Sequence, residues 1–342
     1  MRRDGKAARL RRIVVAGGAG FFGRNVVELL RAEGLRPLIA GRSGDIVLDL
    51  EEGPSLRAGL RPGDVIVDAA GPFQTRTTGL VETAIEIGAD VVDLNEGLAY
   101  AKRVALLDGR ARERGVAVLS SCSAVSTVAA VLLRLSGVDR PRRVSALVAP
   151  ASRETAHEGT IRALLASVGR PIEVRREGRS ARAIGWRETH AFALPRRRGY
   201  LVESALSLTL PEVWPTLRSV DCWTDTRTFG ANTLLSLVAR SDALHALAEN
   251  AVALGALGAR FVGARDGAFA LEVEDEAGRV RRLALTSERR SYLIAAAPAA
   301  LAARALAEGR FTERGVVPPD RHVPADELIP YLGRLGIRLQ RE

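Results

Sequence analysis

The amino-acid sequence predicts an α/β chain: a doubly wound parallel sheet followed by a second, mixed α+β domain. Three observations carry that expectation. Short, almost continuous apolar runs recur through the first 135 residues, as parallel strands covered on both faces require. Segments of helical period lie between them and stop at glycines. From Arg142 onward the rhythm changes to shorter, alternating stretches, the pattern of a more open sheet.

The first element sets the rest. The apolar run 13–16 ends at glycines, and a helical pattern begins at once. Gly17, Gly20 and Gly23 are spaced G-x-x-G-x-x-G, with Gly18 as an extra glycine and Ala19, Phe21 and Phe22 between them. In a strand–turn–helix the first glycine permits the tight turn. The second lets backbone approach a pyrophosphate, and the third lets the helix pack on the strand. The N–H groups and dipole at the helix start then hold phosphate. This places a Rossmann-type dinucleotide site at Gly17, Gly18, Ala19, Gly20, Phe21, Phe22 and Gly23. A purely structural glycine turn is the alternative. Val26, Val27, Leu29 and Leu30 form the sheet-facing stripe.

Gly34 caps this helix, and a second strand, 36–40, runs into Gly41, Arg42 and Ser43. An acidic residue here takes ribose hydroxyls in NAD sites, whereas an arginine suits a 2′-phosphate. Arg42 therefore argues for NADP, with NAD still possible. The other reading is a solvated loop arginine, in a chain with 50 basic residues. Strand 46–50 places Asp49 toward the adenine side. Helix 54–60 leads to the apolar run 64–70, which ends in Ala70, Gly71, Pro72 and Phe73, placed with Gln74 to line the nicotinamide ribose and pyrophosphate. A helix carrying Leu80, Val81, Ala84 and Ile85 stops at Gly88. Strand 90–94, helix 104–114, Gly115 and strand 116–119 complete the first unit.

In the second unit, strand 144–148 and helix 155–168 precede short alternating stretches at 172–175, 182–186, 206–210 and 219–226. Residues 231–257 read as helix with a break near Gly255. Segments 269–275 and 280–286 flank Glu276-Ala277-Gly278 as a hairpin. Helices 295–307 and 326–335 close the chain. The expected units are 1–135, 136–290 and 291–342.

Composition narrows the classes. At 342 residues the chain suits two domains of about 150 residues each. The net charge is +10, but the arginines are scattered and no basic–aromatic stretch appears, so nucleic acid is not an expected partner. No run reads as a membrane span, and the N-terminus leads into the first strand without a separate apolar region. Cys122 and Cys222 do not make a disulfide framework, which fits a reducing cytoplasm. The positive field suits cofactor phosphates and a small, carboxylate-bearing substrate.

Candidate chemistry sits in the loops after the parallel strands, which face the ligand crevice in such sheets. Asp93 and Glu96 stand where a carboxylate binds an ammonium group or shuttles a proton, and equally where it caps the next helix. Cys122 is placed to protonate or orient a substrate, or simply to pack. His157 and His190 belong to the second domain, either reaching across the cleft or satisfied on its surface. Arg187 and the run Arg196, Arg197 and Arg198 either grip a carboxylate or are solvated. No Tyr-x-x-x-Lys, Gly-x-Ser-x-Gly or P-loop pattern occurs, and no His/Cys/Asp cluster has metal-ligand spacing.

The segments GGAGFFGR, AGR, DAAGPFQ and ETAIEIGADVVDLNEG, with the C-terminal stretch from AAAPAALAARALAEGR onward, resemble the saccharopine dehydrogenase-like family. The resemblance spans most of the chain and is looser between Ala151 and Val280. It implies an NADP-binding first domain, an inserted mixed-sheet domain for substrate and homodimer contacts, and redox chemistry at a C–N bond or carbonyl carbon. The chain departs from the family at Asn95-Glu96, where a glycine is expected before the glutamate, and it lacks an Asp-Pro-Gly-like turn after Cys122. A non-catalytic NADP-binding sensor of the same fold is the alternative.

Overall fold

The computed structural model describes residues 10–241, 243, 244, 258, 259 and 261–342. Strand β1 (Ile13–Ala16) is wholly buried, as its unbroken apolar run requires. Around it lie β2 (Leu38–Gly41), β3 (Ile46–Val47), β4 (Val65–Asp68), β5 (Asp90–Asp93) and β6 (Ala117–Leu119). Their order is β6-β5-β4-β1-β2-β3, and every pair is parallel. The order reverses at β1, so the crevice at the carboxyl edge opens beside β1 and β4.

The crossovers are α1 (Phe21–Ala32), α2 (Gly53–Gly59), α3 (Gly79–Ile87), α4 (Leu98–Ala105) and α5 (Asp108–Glu113). The single helix expected at 104–114 is thus two, broken at Leu106 and Leu107. Gly88 ends α3 in the left-handed region at φ 79°, and the Ala89 N–H reaches back to the Ala84 carbonyl. That conformation favours glycine, which is why the stop signal was readable. After β6 a π-helical turn, Ala124–Val128, leads into α6 (Ala129–Leu135).

The second sheet contains β7 (Pro141–Ala149), β8 (Pro171–Arg176), β9 (Arg179–Ile184), β10 (Thr189–Phe192), β11 (Arg197–Val202), β12 (Ser219–Thr224), β13 (Gly267–Asp275) and β14 (Val280–Ser287). It is mixed: β7 and β12 are parallel, and the other neighbours are antiparallel. Helices α7 (Ser152–Thr155) and α8 (Glu158–Leu165) replace the one helix expected at 155–168. The alternating stretch 206–210 is not a strand but part of α9 (Leu206–Val213). Leu206 and Leu210, four apart, share the buried helical face equally well, and the Ser204 hydroxyl accepts the Leu206 N–H at 3.2 Å. Helix α10 (Ala231–Val238) begins the expected 231–257 helix. Most of the remainder of that stretch lies outside the described residues.

Helix α11 (Leu293–Ala307) is alanine-rich and buried almost throughout, and lies against α1 and the π-helical turn. Strand β15 (Gly315–Val316) extends the first sheet beyond β6. Helix α12 (Ala325–Arg334) follows, and β16 (Arg338–Arg341) extends the second sheet beyond β14. One core therefore runs from Val15 and Val26 through Val128 and Leu132 to Val144, Phe269 and Leu301, between the two sheets. Sharing that core fixes the second sheet over the carboxyl edge of the first.

Candidate functional site

The glycine turn is packed so tightly that Gly17 and Gly23 cannot carry a side chain without displacing backbone. A Cβ on Gly23 would lie 2.2 Å from the Gly17 carbonyl oxygen, and one on Gly17 would lie 2.8 Å from Ala70 Cα. Gly17 also adopts φ 71° and donates its N–H to the Ala40 carbonyl at 2.8 Å. The Cα of Gly41 faces the Gly17 nitrogen, so the ends of β1, β2 and β4 converge. Ala19 and Gly20 remain exposed at the mouth of α1, whose first turn carries no acidic residue. Open N–H groups, a positive helix end and bare backbone together fit a pyrophosphate.

Arg42 is exposed beside this turn, with no hydrogen bond or ion pair to another of the described residues. Ser43 is exposed next to it. Both stand at the end of β2, where the ribose of a dinucleotide lies in such sheets. Asp49 is exposed, two residues beyond β3. Its carboxylate accepts the Glu51 N–H at 2.8 Å, closing a local turn. Phe21 lies across the interdomain boundary, with its ring 4.6 Å from His157 and 4.8 Å from Tyr292. His157 does reach the first domain. His190 stays in the second sheet, bonded to Glu272 at 2.8 Å.

After β4, the Gly71–Pro72 peptide is cis, and the ring of Phe73 turns into the core against Tyr100 at 5.1 Å. Phe73 therefore does not present its ring to the crevice. Arg76, which the sequence reading missed, organises this loop. Its guanidinium donates to both Asp68 oxygens at 2.7 Å, to the Ala70 carbonyl at 2.9 Å and to Glu51 at 2.7 Å. Burial raises the Asp68 pKa, and the Arg76 charge opposes that rise. Among 50 basic residues no sequence signal sets Arg76 apart.

Asp93 and Cys122 are corrected in position. Asp93 is fully buried beneath the loops. Its Oδ1 accepts the N–H groups of Ser121 at 2.7 Å and Asn95 at 3.0 Å, while its carbonyl accepts the Cys122 N–H at 2.8 Å. Burial pushes its pKa up to about 6, against the pull of those donors. Cys122 is also fully buried, within the shared core beside Thr127, and burial raises its thiol pKa. Cys122 is not among the described residues that line the crevice. Asn95, the departure from the family pattern, closes its own turn by accepting the Gly97 N–H at 2.8 Å. Ser121 sits at φ 59°, unusual for a side-chain-bearing residue, at the same junction.

Glu96 is the expected acid that reaches the crevice. Ser123 Oγ donates to its carboxylate at 2.9 Å, and its backbone carbonyl accepts the Ala205 N–H from the second domain. Glu96 is exposed at the crevice, and desolvation by the surrounding protein raises its pKa, with Ser123 opposing. The crevice itself encloses about 470 Å³ between Gln74, Glu96 and Val125 on one side and Val202, Ser204 and Cys222 on the other. That volume is ordinary for a small-molecule site. No arginine, lysine or histidine among the described residues lines it. Arg187 instead donates to the Ala239 carbonyl, and Arg197 pairs with Asp225.

His322 is a second residue the sequence reading missed. It is fully buried, with Nδ1 2.7 Å from Thr127 Oγ1 and Nε2 2.8 Å from the Val317 carbonyl. The carbonyl only accepts, so Nε2 carries the proton and the Thr127 hydroxyl donates to Nδ1. Among the described residues no group of His, Cys, Asp and Glu is arranged to hold a metal ion, and no helix is long and apolar enough to cross a membrane.

A glycine turn at the switch point of an all-parallel sheet, roofed by a second, mixed sheet, defines the two-domain Rossmann class. Within that class the chain carries the saccharopine dehydrogenase fold. It superposes on apo saccharopine dehydrogenase (L-Glu forming) of Saccharomyces cerevisiae with a TM-score of 0.62, over 97% of this chain and 99% of that one, at 14% identity. A variant of meso-dapdh from Clostridium tetani, solved with DAP, gives a TM-score of 0.45 over 93% of this chain and 96% of that one, at 12% identity. A lipid droplet localized protein of Caenorhabditis elegans is 31% identical over 137 residues, covering 32% of this chain and 32% of that protein. The match thus spans about a third of that relative. No family model matches the chain.

Proposed function

We propose that this chain is an NAD(P)-dependent oxidoreductase of the saccharopine dehydrogenase-like type, preferring NADP and acting on a C=O or C=N carbon of a small molecule. The observation that carries this reading is one convergence. The bare glycine turn and exposed Arg42 stand at one end of the carboxyl edge, and Glu96 faces the crevice at the other. When bound, the nicotinamide supplies or accepts a hydride at the reacting carbon. The chain's own residues do the rest. The glycine turn and the start of α1 hold the pyrophosphate, and Arg42 holds the 2′-phosphate. The second sheet keeps water out, and Glu96, oriented by Ser123, moves a proton at the substrate oxygen or nitrogen.

Titration of the protein with NADPH and NADH, followed by nucleotide fluorescence, tests this on the wild type and Arg42→Ala. The expected result is tighter NADPH binding, with about tenfold or more of that preference lost in the variant. Failure of both nucleotides to bind would sink the reading. A non-catalytic NADP-binding sensor is favoured by one observation: with Asp93 and Cys122 buried, Glu96 is the one expected acid–base residue left in the crevice. In that case NADPH binds and no carbonyl or imine substrate oxidises it.

A further inference from the structure

The crevice lining carries chemical information beyond the reaction class. Its walls are aliphatic over most of their extent, including Val148, Ile161, Leu164, Ile172, Val202 and Leu235. Several polar groups on the same walls are already satisfied inside the protein. The hydroxyl of Thr155 donates to the Ala151 carbonyl, that of Thr224 to the Val148 carbonyl, and that of Thr226 to Asn232. Among the described residues the charged lining groups are Glu96 and Glu203, both acidic. A substrate carboxylate in this space would find no counter-ion among the described residues and would share it with two acidic side chains. Burying an unpaired anion in that way is strongly unfavourable.

We infer that the crevice takes an uncharged, predominantly apolar carbonyl compound, its oxygen at Glu96 and its hydrocarbon body among the aliphatic walls, and that it rejects amino acids and oxo acids. The carbonyl rests on the oxidoreductase reading above; the neutral, apolar body rests on the lining alone. The small side chain of Ala163, on α8, belongs to the same wall and gives a direct probe of occupancy. An indole placed there fills the space the hydrocarbon would take.

Calorimetric titration of octan-2-one, 2-oxoglutarate and L-glutamate into the full chain saturated with NADPH provides the test. Octan-2-one is expected to bind with a Kd below about 1 mM and a negative heat-capacity change, while the two acids give no heat of binding. Ala163→Trp is expected to weaken ketone binding about tenfold or more without changing NADPH affinity. Ile161→Asn, which makes the wall polar without filling it, serves if the tryptophan variant does not fold. Binding of 2-oxoglutarate without the ketone would overturn the inference. So would ketone binding that survives both variants, which would place the ligand on the exposed side chains of Phe229 and Phe261. Loss of NADPH binding alone would remove the oxidoreductase reading, and ketone binding sensitive to Ala163→Trp would still support the apolar site.

Discussion

Thr127 and His322, 195 positions apart, share a buried hydrogen bond of 2.7 Å that ties the π-helical turn after β6 to the C-terminal segment. The imidazole is neutral there, and burial lowers its pKa from 6.5 to about 4. In the unfolded chain the same group titrates near its ordinary value. Between those two values the unfolded chain binds a proton that the folded one does not. Stability from this group is therefore present above about pH 6.5 and lost as pH falls toward 4, by roughly 3 kcal/mol at most. Urea unfolding at pH 7.5 and pH 4.5 on wild type and His322→Gln isolates the contribution. The variant should lose stability at pH 7.5 and show a smaller difference between the two conditions. An identical difference in both proteins would refute the assignment.

The glycine turn separates a packing role from a binding role. In Gly23→Ala the new methyl meets the Gly17 carbonyl at 2.2 Å, backbone against backbone, so the helix must move away from the strand. That should cost roughly 1–3 kcal/mol of stability, together with nucleotide binding. In Gly20→Ala the methyl lies 3.1 Å from the same oxygen at an ordinary φ of −74°. Its fold cost should be about 1 kcal/mol or less, while nucleotide affinity falls roughly tenfold because the backbone no longer meets the pyrophosphate. Thermal melts paired with NADPH titration distinguish the two, and equal stability losses would show that Gly20 is only a packing residue.

Arg76 provides a third test. Asp68 is fully buried and depends on that guanidinium for its charge partner, with the Arg76 side chain itself 8% exposed. Arg76→Met leaves an unpaired buried carboxylate and should destabilise by about 3–5 kcal/mol. The double variant Asp68→Asn, Arg76→Met should recover part of that loss, because the unpaired charge is gone. A double variant as unstable as the sum of both single changes would mean the pair is not coupled.

The parallel unit was legible because each of its signals is local. Apolar runs between glycine stops give β1, β4 and β5, and the spacing of Gly17, Gly20 and Gly23 gives the turn. The second sheet is less so. Strands β10 and β11 hide in an arginine-rich stretch whose outward residues mask the alternation, and the segment beginning at Leu206 satisfies periods of two and of four alike. Tertiary packing decided that case. Site residues divide the same way. Sequence order puts Asp93, Glu96 and Cys122 at the crevice edge, but which side chains turn outward depends on long-range partners. Asp93 is drawn inward by the Ser121 N–H, and Cys122 by the core around Thr127. Arg76 and His322 act through residues far away in sequence, so no local pattern announces them.

Glu96 carries the prediction most specific to the proposed chemistry. In the reductive direction its carboxyl must be protonated to deliver a proton to the substrate, so the rate should be flat at low pH and fall as the group ionises. Desolvation raises the Glu96 pKa, which moves that descending limb toward higher pH. The Ser123 hydroxyl donates to the carboxylate and favours its ionised form. Ser123→Ala should therefore shift the limb to higher pH while leaving the low-pH rate close to that of the wild type. Glu96→Gln should abolish the limb and lower the plateau by roughly 10²–10⁴-fold, with NADPH affinity unchanged. The measurement is kcat/KM for NADPH oxidation against pH on the three proteins, with octan-2-one as substrate. A limb that stays in place in Glu96→Gln would assign the proton to another group and remove Glu96 from the mechanism.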